Sequence, residues 1–136
     1  MSEENVEVVR QMWETLMHDD YTTLPVSFID PEVAFEDEIL PDHAGEIYRG
    51  YEGIQRAWDR LLEPFEEGSA ENRIVWARGV GDQVVSCHHA RARGRDSGIE
   101  LEVDYAYLWK LREGKVIYCK SFLDPADALE AAGLSE

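Results

Sequence analysis

A chain of 136 residues and 15.6 kDa is one domain's worth of polypeptide, long enough to bury about two-thirds of its unfolded surface around one core. Thirteen Lys and Arg against 29 Asp and Glu leave a net charge of −16, a field that repels phosphate backbones and anionic headgroups, so neither nucleic acid nor a membrane surface is an expected partner. With 44% hydrophobic and 10% aromatic residues, the composition is too apolar for a disordered acidic tail.

Residues 3–18 read as an amphipathic helix: Ser2 can cap it, Glu3 and Glu4 face the positive end of the dipole, and Val6, Val9, Met12, Trp13, Leu16 and Met17 fall on one stripe. Thr22 or Thr23 starts a short second helix through Leu24, Pro25, Val26, Phe28 and Ile29, stopped at Asp30-Pro31. After Pro31 the period changes to two, with Val33, Phe35 and Asp37 on one side, so the first strand carries an acid on its apolar face. ILPDHAGEIYRG reads as a loop. Beyond it Ile54, Ala57, Trp58, Leu61, Leu62 and Phe65 recur at helical spacing, in a helix that Pro64 bends or ends. Four strands follow at roughly 71–79, 83–93, 99–111 and 115–123, joined by turns too short for crossovers, which makes the sheet antiparallel. Asp124-Pro125 then opens a closing helix that Gly133 stops. The order suggests an α+β domain spanning residues 1–136 with its helices on one sheet face.

Alternation assigns the faces. Ile99, Leu101, Val103, Tyr105, Tyr107, Trp109 and Leu111 point inward, and Glu100, Glu102, Asp104 and Lys110 outward. A three-residue hairpin with Gly114 in a left-handed bulge would keep parity, so Ile117, Cys119 and Ser121 also face inward. In the preceding strand Arg91 and Arg93 belong outside, which puts Ser86, His88, Ala90 and Ala92 inside and His89 on the opposite face.

The opening SEENVEVVRQMW, FIDPEVAFED, the YRGYEGI before the long helix, the LWKLREGKVI hairpin and the terminal DPADALEAAGL together resemble the SnoaL-like branch of the nuclear transport factor 2-like superfamily. That superfamily includes ketosteroid isomerases and polyketide cyclases. The resemblance covers essentially the whole chain and implies a cone-shaped, curved antiparallel sheet wrapped around N-terminal helices (the nuclear transport factor 2-like or cystatin-like architecture), with a pocket at one end and homodimers through the outer sheet face. It also implies roles. Asp37 falls where ketosteroid isomerases hold their general base, and Tyr107 falls where they hold a protonated carboxylic acid that donates to the oxyanion. Trp13 or Met12 falls near their helix-one tyrosine, and Ser121 stands where the polyketide cyclases carry an acid. Because such folds host isomerases, dehydratases, cyclases and non-catalytic members, function has to be argued from the site.

On the residues themselves, Asp37 can be a carboxylate lifted by an aromatic pocket to abstract an α-carbon proton, or a strand-end aspartate that caps the next turn or pairs with Arg49. Tyr107 can donate to a developing oxyanion or be a core tyrosine with a satisfied hydroxyl. His88 can carry protons or be a hydrogen-bonded core histidine. Around these three, Trp13, Met17, Phe35, Trp58, Tyr105, Trp109, Cys119 and Ser121 are the expected walls for a small hydrophobic molecule, with Trp76 as a further aromatic. The reading is a ligand-binding domain catalysing cofactor-free proton transfer (isomerisation, cyclisation or dehydration), or alternatively a non-catalytic binding or dimerisation module. Val85, Cys87, Leu108, Tyr118 and Phe122 would supply the homodimer face. His18, His43, His88 and His89 form no i, i+4 pair and no H-E-x-x-H, so no metal is expected. Neither a P-loop, a dinucleotide fingerprint nor G-x-S-x-G occurs, so no cofactor is expected. Cys87 and Cys119, without C-x-x-C spacing, read as reduced small hydrophobes. With early acid where a signal peptide would carry base, the protein is expected in the cytoplasm.

Overall fold

The structure, a computed structural model, describes residues 2–18, 24–39 and 45–134. Thr22, Thr23, His43 and the Ser2 side chain lie outside that description. Helix α1 (Ser2–His18) buries Val9, Met12, Trp13 and Leu16, the stripe its spacing predicts. The expected second helix is a single 3-10 turn, Val26–Phe28, and the chain is already extended at Ile29. Strand β1 (Ile29–Asp37) therefore contains Asp30-Pro31 instead of following it. A register shift between Ile29 and Ala34 accommodates Pro31, which has no N–H for a ladder.

A short strand not expected from the sequence, β2 (Glu46–Arg49), pairs antiparallel with β1 and sets Phe35 opposite Tyr48. Helix α2 (Gly50–Leu62) comes so close to β2 that a Cβ on Gly53 would lie 3.1 Å from the Tyr48 carbonyl carbon, so a larger residue there would need Tyr48 to give way by a few tenths of an ångström. Strands β3 (Glu71–Val80), β4 (Gln83–Arg93), β5 (Glu100–Arg112) and β6 (Lys115–Phe122) match the predicted segments within one residue at each end. Helix α3 (Pro125–Ala131) starts on the Asp124 side chain, which accepts from the Ala126 N–H at 2.9 Å, and ends in a left-handed Gly133.

The six strands form one curved sheet in the order β2-β1-β6-β5-β4-β3. It is mixed, since β1 and β6 run parallel. Short connections dictate the sense of consecutive strands only, and these two are not consecutive. Helices α1 and α2 cover the inner face, with the main core between them and the sheet. Helix α3 instead lies on the outer face, over Val85, Ala106 and Leu108, so the helices do not share one side. It thereby covers part of the surface expected to join two copies.

Two bulges reset parity. One between Ile74 and Trp76 sends Trp76 outward to the α3 cluster, away from the inner aromatics. The other is on β6, where Ile117 is left over between the pairs Lys110–Tyr118 and Leu111–Val116, and it turns Val116 inward in place of Ile117. The hairpin is a two-residue turn, not three: Arg112 pairs with Lys115 while Glu113 (φ 52°) and Gly114 (φ 77°) both take left-handed backbone. Ile99, Leu101 and Val103 have the predicted parity but are exposed, because β6 ends opposite Ala106 and the first half of β5 runs past the core. Among the described residues, no helix is long and apolar enough to cross a membrane.

Candidate functional site

Sheet register lines up the polar side chains of the inner face. Ser86 on β4 stands opposite Tyr107 on β5, Tyr107 opposite Ser121 on β6, and the Ser121 hydroxyl donates to Asp37 Oδ1 on β1 at 3.3 Å. Asp37, Ser121, Tyr107 and Ser86 thus form one row across four strands, all of them buried. Asp37 and Tyr107 lie on the same side of the sheet, with Ser121 between them.

Asp37 is 5% exposed. Its Oδ1 also accepts the Ile39 N–H at 2.8 Å, the geometry of an aspartate closing the turn after its strand. Ser121 Oγ is shared, accepting the Glu38 N–H at 3.1 Å. Arg49 stands opposite Ala34, not Asp37. Among the described residues no cation is paired with the Asp37 carboxylate, and it is the one acid buried on the inner face.

A second chain of contacts runs down the row from Trp109. Its indole N–H donates to Ser86 Oγ at 2.8 Å, and Ser86 Oγ lies 2.7 Å from His88 Nε2. His88 Nδ1 is 3.0 Å from Asn72 Oδ1, Asn72 Nδ2 donates to the Tyr105 hydroxyl at 2.6 Å, and that hydroxyl donates to Tyr107 at 3.3 Å. Directions propagate along this chain. With its amide nitrogen committed to Tyr105, Asn72 offers an oxygen to His88, so Nδ1 carries the proton and Nε2 accepts from Ser86. His88 is fully buried, edge-on to Trp13 at 4.4 Å between ring centroids, and burial pushes its pKa down to about 3, so it is neutral at pH 7. Burial likewise drives the Tyr105 phenol up to about 12 and the Cys119 thiol well above its ordinary value.

Two hollows among the described residues bear on this row. The inner one, walled by Met12, Phe35, Trp58, Tyr107, Trp109 and Cys119, has a volume of about 20 Å³. The outer one is an apolar groove of about 100 Å³ where β5 outruns β6, walled by Leu61, Leu62, Phe65, Leu101, Val103 and Tyr105. The structure therefore brings Trp13, Phe35, Trp58, Tyr105, Tyr107, His88, Trp109, Cys119 and Ser121 into one buried aromatic cluster with Asp37 at its border, and Met17 packs half-buried against it. Asp37 lines neither hollow. Asn72, which joins His88 to Tyr105, escaped the sequence reading. A polar residue at an inward position two before Ile74 was its only signal.

Residues 9–119 match the model of the SnoaL-like domain. The chain belongs to the SnoaL-like family. The fold agrees. An NTF2-like protein of unknown function from Burkholderia pseudomallei K96243 superposes with a TM-score of 0.73 at 17% identity, covering 96% of this chain and 97% of that one. TerC, co-crystallised with polyporic acid, gives 0.74 at 18% identity over 93% and 96%. A protein of ketosteroid isomerase-like fold from Catenulispora acidiphila DSM 44928, in complex with trimethylamine, gives 0.71 at 17% over 94% and 93%. Among curated proteins, endo-1,4-beta-xylanase 3 of Hypocrea jecorina is 28% identical over 86 residues, 63% of this chain. This SnoaL-like chain spans about a quarter of the length of that relative.

Proposed function

We propose that this SnoaL-like protein binds a small, flat, largely apolar organic molecule in the groove beside Tyr105 and moves a proton on it, with Asp37 as base and Tyr107 as donor to the oxygen that gains charge. One observation carries this reading. Tyr105 lines the outer groove and its hydroxyl lies 3.3 Å from that of Tyr107, which lines the inner hollow. A ligand advancing one residue pair past Tyr105 along β5 meets the row that holds both Tyr107 and Asp37. The apolar walls suit a ring system, and the hydroxyl pair suits a carbonyl or enol at its leading edge. His88, neutral and held at both nitrogens, acts as a positioning residue for the tyrosines. Glycoside hydrolysis is a poor match, because it uses two facing carboxylates and Asp37 is the one buried acid among the described residues.

A second reading, binding without turnover, is favoured by the inner hollow itself. At about 20 Å³ it holds one water-sized body, and Asp37 Oδ1 is engaged by Ile39 and Ser121.

Exchange of the α-hydrogens of 2-tetralone in D2O, followed by proton NMR, separates the two. Catalysed exchange should fall by about a hundredfold or more in Asp37→Asn, the scale of a general base, while line broadening of bound 2-naphthol persists. Binding with exchange no faster than in buffer selects the second reading. If 2-tetralone, 2-naphthol and polyporic acid all fail to bind, both readings are wrong.

A further inference from the structure

The first half of β5 is an unfinished edge. β6 ends at Phe122 opposite Ala106, so among the described residues the backbone of Glu100–Tyr105 has β4 on one side and no strand on the other. The side chains there sort by face. Leu101 and Val103 are 53% and 47% exposed on the inner side, and Ile99 just before the strand is 61% exposed, whereas Glu100, Glu102 and Asp104 form an outer row. Arg91 meets Glu100 at 2.7 Å, Glu102 at 3.7 Å and Glu71 at 3.4 Å, and His89 meets Asp104 at 2.6 Å and Glu102 at 3.6 Å. Four carboxylates thus share one guanidinium and one imidazole; Arg73, opposite His89, and Arg93, opposite Glu100 and 3.6 Å from Glu66, are further cations on that face, so five acids stand against three arginines. The patch stays acidic in a chain of net charge −16.

We propose that this edge receives an extended segment of another protein in which apolar and basic residues alternate, added as a further strand beside Glu100–Tyr105. Its main chain would pair with the open N–H and C=O groups. Its apolar side chains would lie against Leu101, Val103 and the groove below them, and its Lys or Arg side chains would meet the acidic row. A second copy of this chain is the wrong occupant: antiparallel pairing about Glu102 would set Glu102 against itself and Glu100 against Asp104, like charges directly opposed. This inference does not rest on the proposed ligand chemistry, since a chain that turns over nothing still presents the edge, but peptide and ligand would compete for the one groove.

The test is a fluorescein-labelled heptapeptide of alternating Lys and Val, titrated with the full chain by fluorescence anisotropy. Two controls accompany it: a scrambled peptide of the same composition, and an analogue N-methylated on alternate residues. The alternating peptide should bind at least about tenfold more tightly than either control, and Glu102→Lys, which reverses an exposed charge, should weaken it about as much. Amide shifts in a 15N-labelled sample should cluster at residues 99–105. Equal affinity for the scrambled peptide would mean charge attraction alone, and shifts elsewhere would mean another site. Either result, or protection of the edge amides by a second copy in sedimentation-matched samples, overturns the proposal.

Discussion

At pH 7 His88 is neutral in the folded chain and largely neutral in the unfolded one, so it contributes little to the pH dependence of stability there. Below its ordinary pKa of 6.5 the unfolded chain takes up a proton that the native chain refuses until about pH 3. Folding therefore weakens as pH falls through this window, and the loss levels off near the native value. From pH 7 to pH 5 this single site should remove about 2 kcal/mol, at 1.36 kcal/mol per pH unit below 6.5. For a chain of 136 residues that corresponds to a drop of roughly 7 °C in Tm. Urea unfolding followed by tryptophan fluorescence at pH 7, 6 and 5 measures it, with His88→Gln as the reference that lacks the titration. The variant should be less stable at pH 7 but flatter with pH by about 2 kcal/mol. Parallel curves for the two proteins would refute the premise that His88 is buried in its neutral form.

Two further outcomes follow from named contacts. Ser86→Ala strips an acceptor from the Trp109 indole and a donor from His88 Nε2, both buried, and should cost about 1–3 kcal/mol by urea unfolding; a loss below about 0.5 kcal/mol would show that the network is not closed in solution. Glu113→Asn should raise stability by about 0.5 kcal/mol, because the position holds φ 52° before a left-handed Gly114 and Asn-Gly is the favoured pair for such a turn. A decrease in thermal midpoint would contradict the assigned turn.

Most strand limits from Glu71 onward, the ends of α1 and α2, and both caps of α3 were legible because each rests on a local signal: alternation, a stripe, Pro64, Asp124 or Gly133. Parity also placed Ser86, His88, Tyr105, Tyr107, Cys119 and Ser121 on one face. What failed depends on partners distant in sequence. The four residues of β2 are too few to show a period, and the parallel pairing of β1 with β6 joins segments that no turn connects. Bulges at Val75 and beside Ile117 reverse parity without any mark in composition, which displaced Trp76 and Ile117. The exposure of Leu101 and Val103 on the inner side follows from where β6 stops, not from their own pattern. The site was half legible for the same reason. Asp37 and Tyr107 could be put on a common face, but the Asn72 link needs the register of β3 against β4, and the volume between the helices and the sheet is set by packing.

The last of the six described strands to leave the ribosome is also the one that joins the sheet. β6 is inserted between β1 and β5, with β2 beyond one and β4 and β3 beyond the other. Until it arrives, the amino-terminal pair of strands and the later three share no ladder, and closing the sheet brings together residues as far apart as Ile29 and Val116. Such a loop is slow to close and leaves two exposed strand edges in the meantime. A nascent chain released short of Phe122 would accordingly carry two half-sheets with nothing between them, the kind of species that chaperones or proteases encounter first.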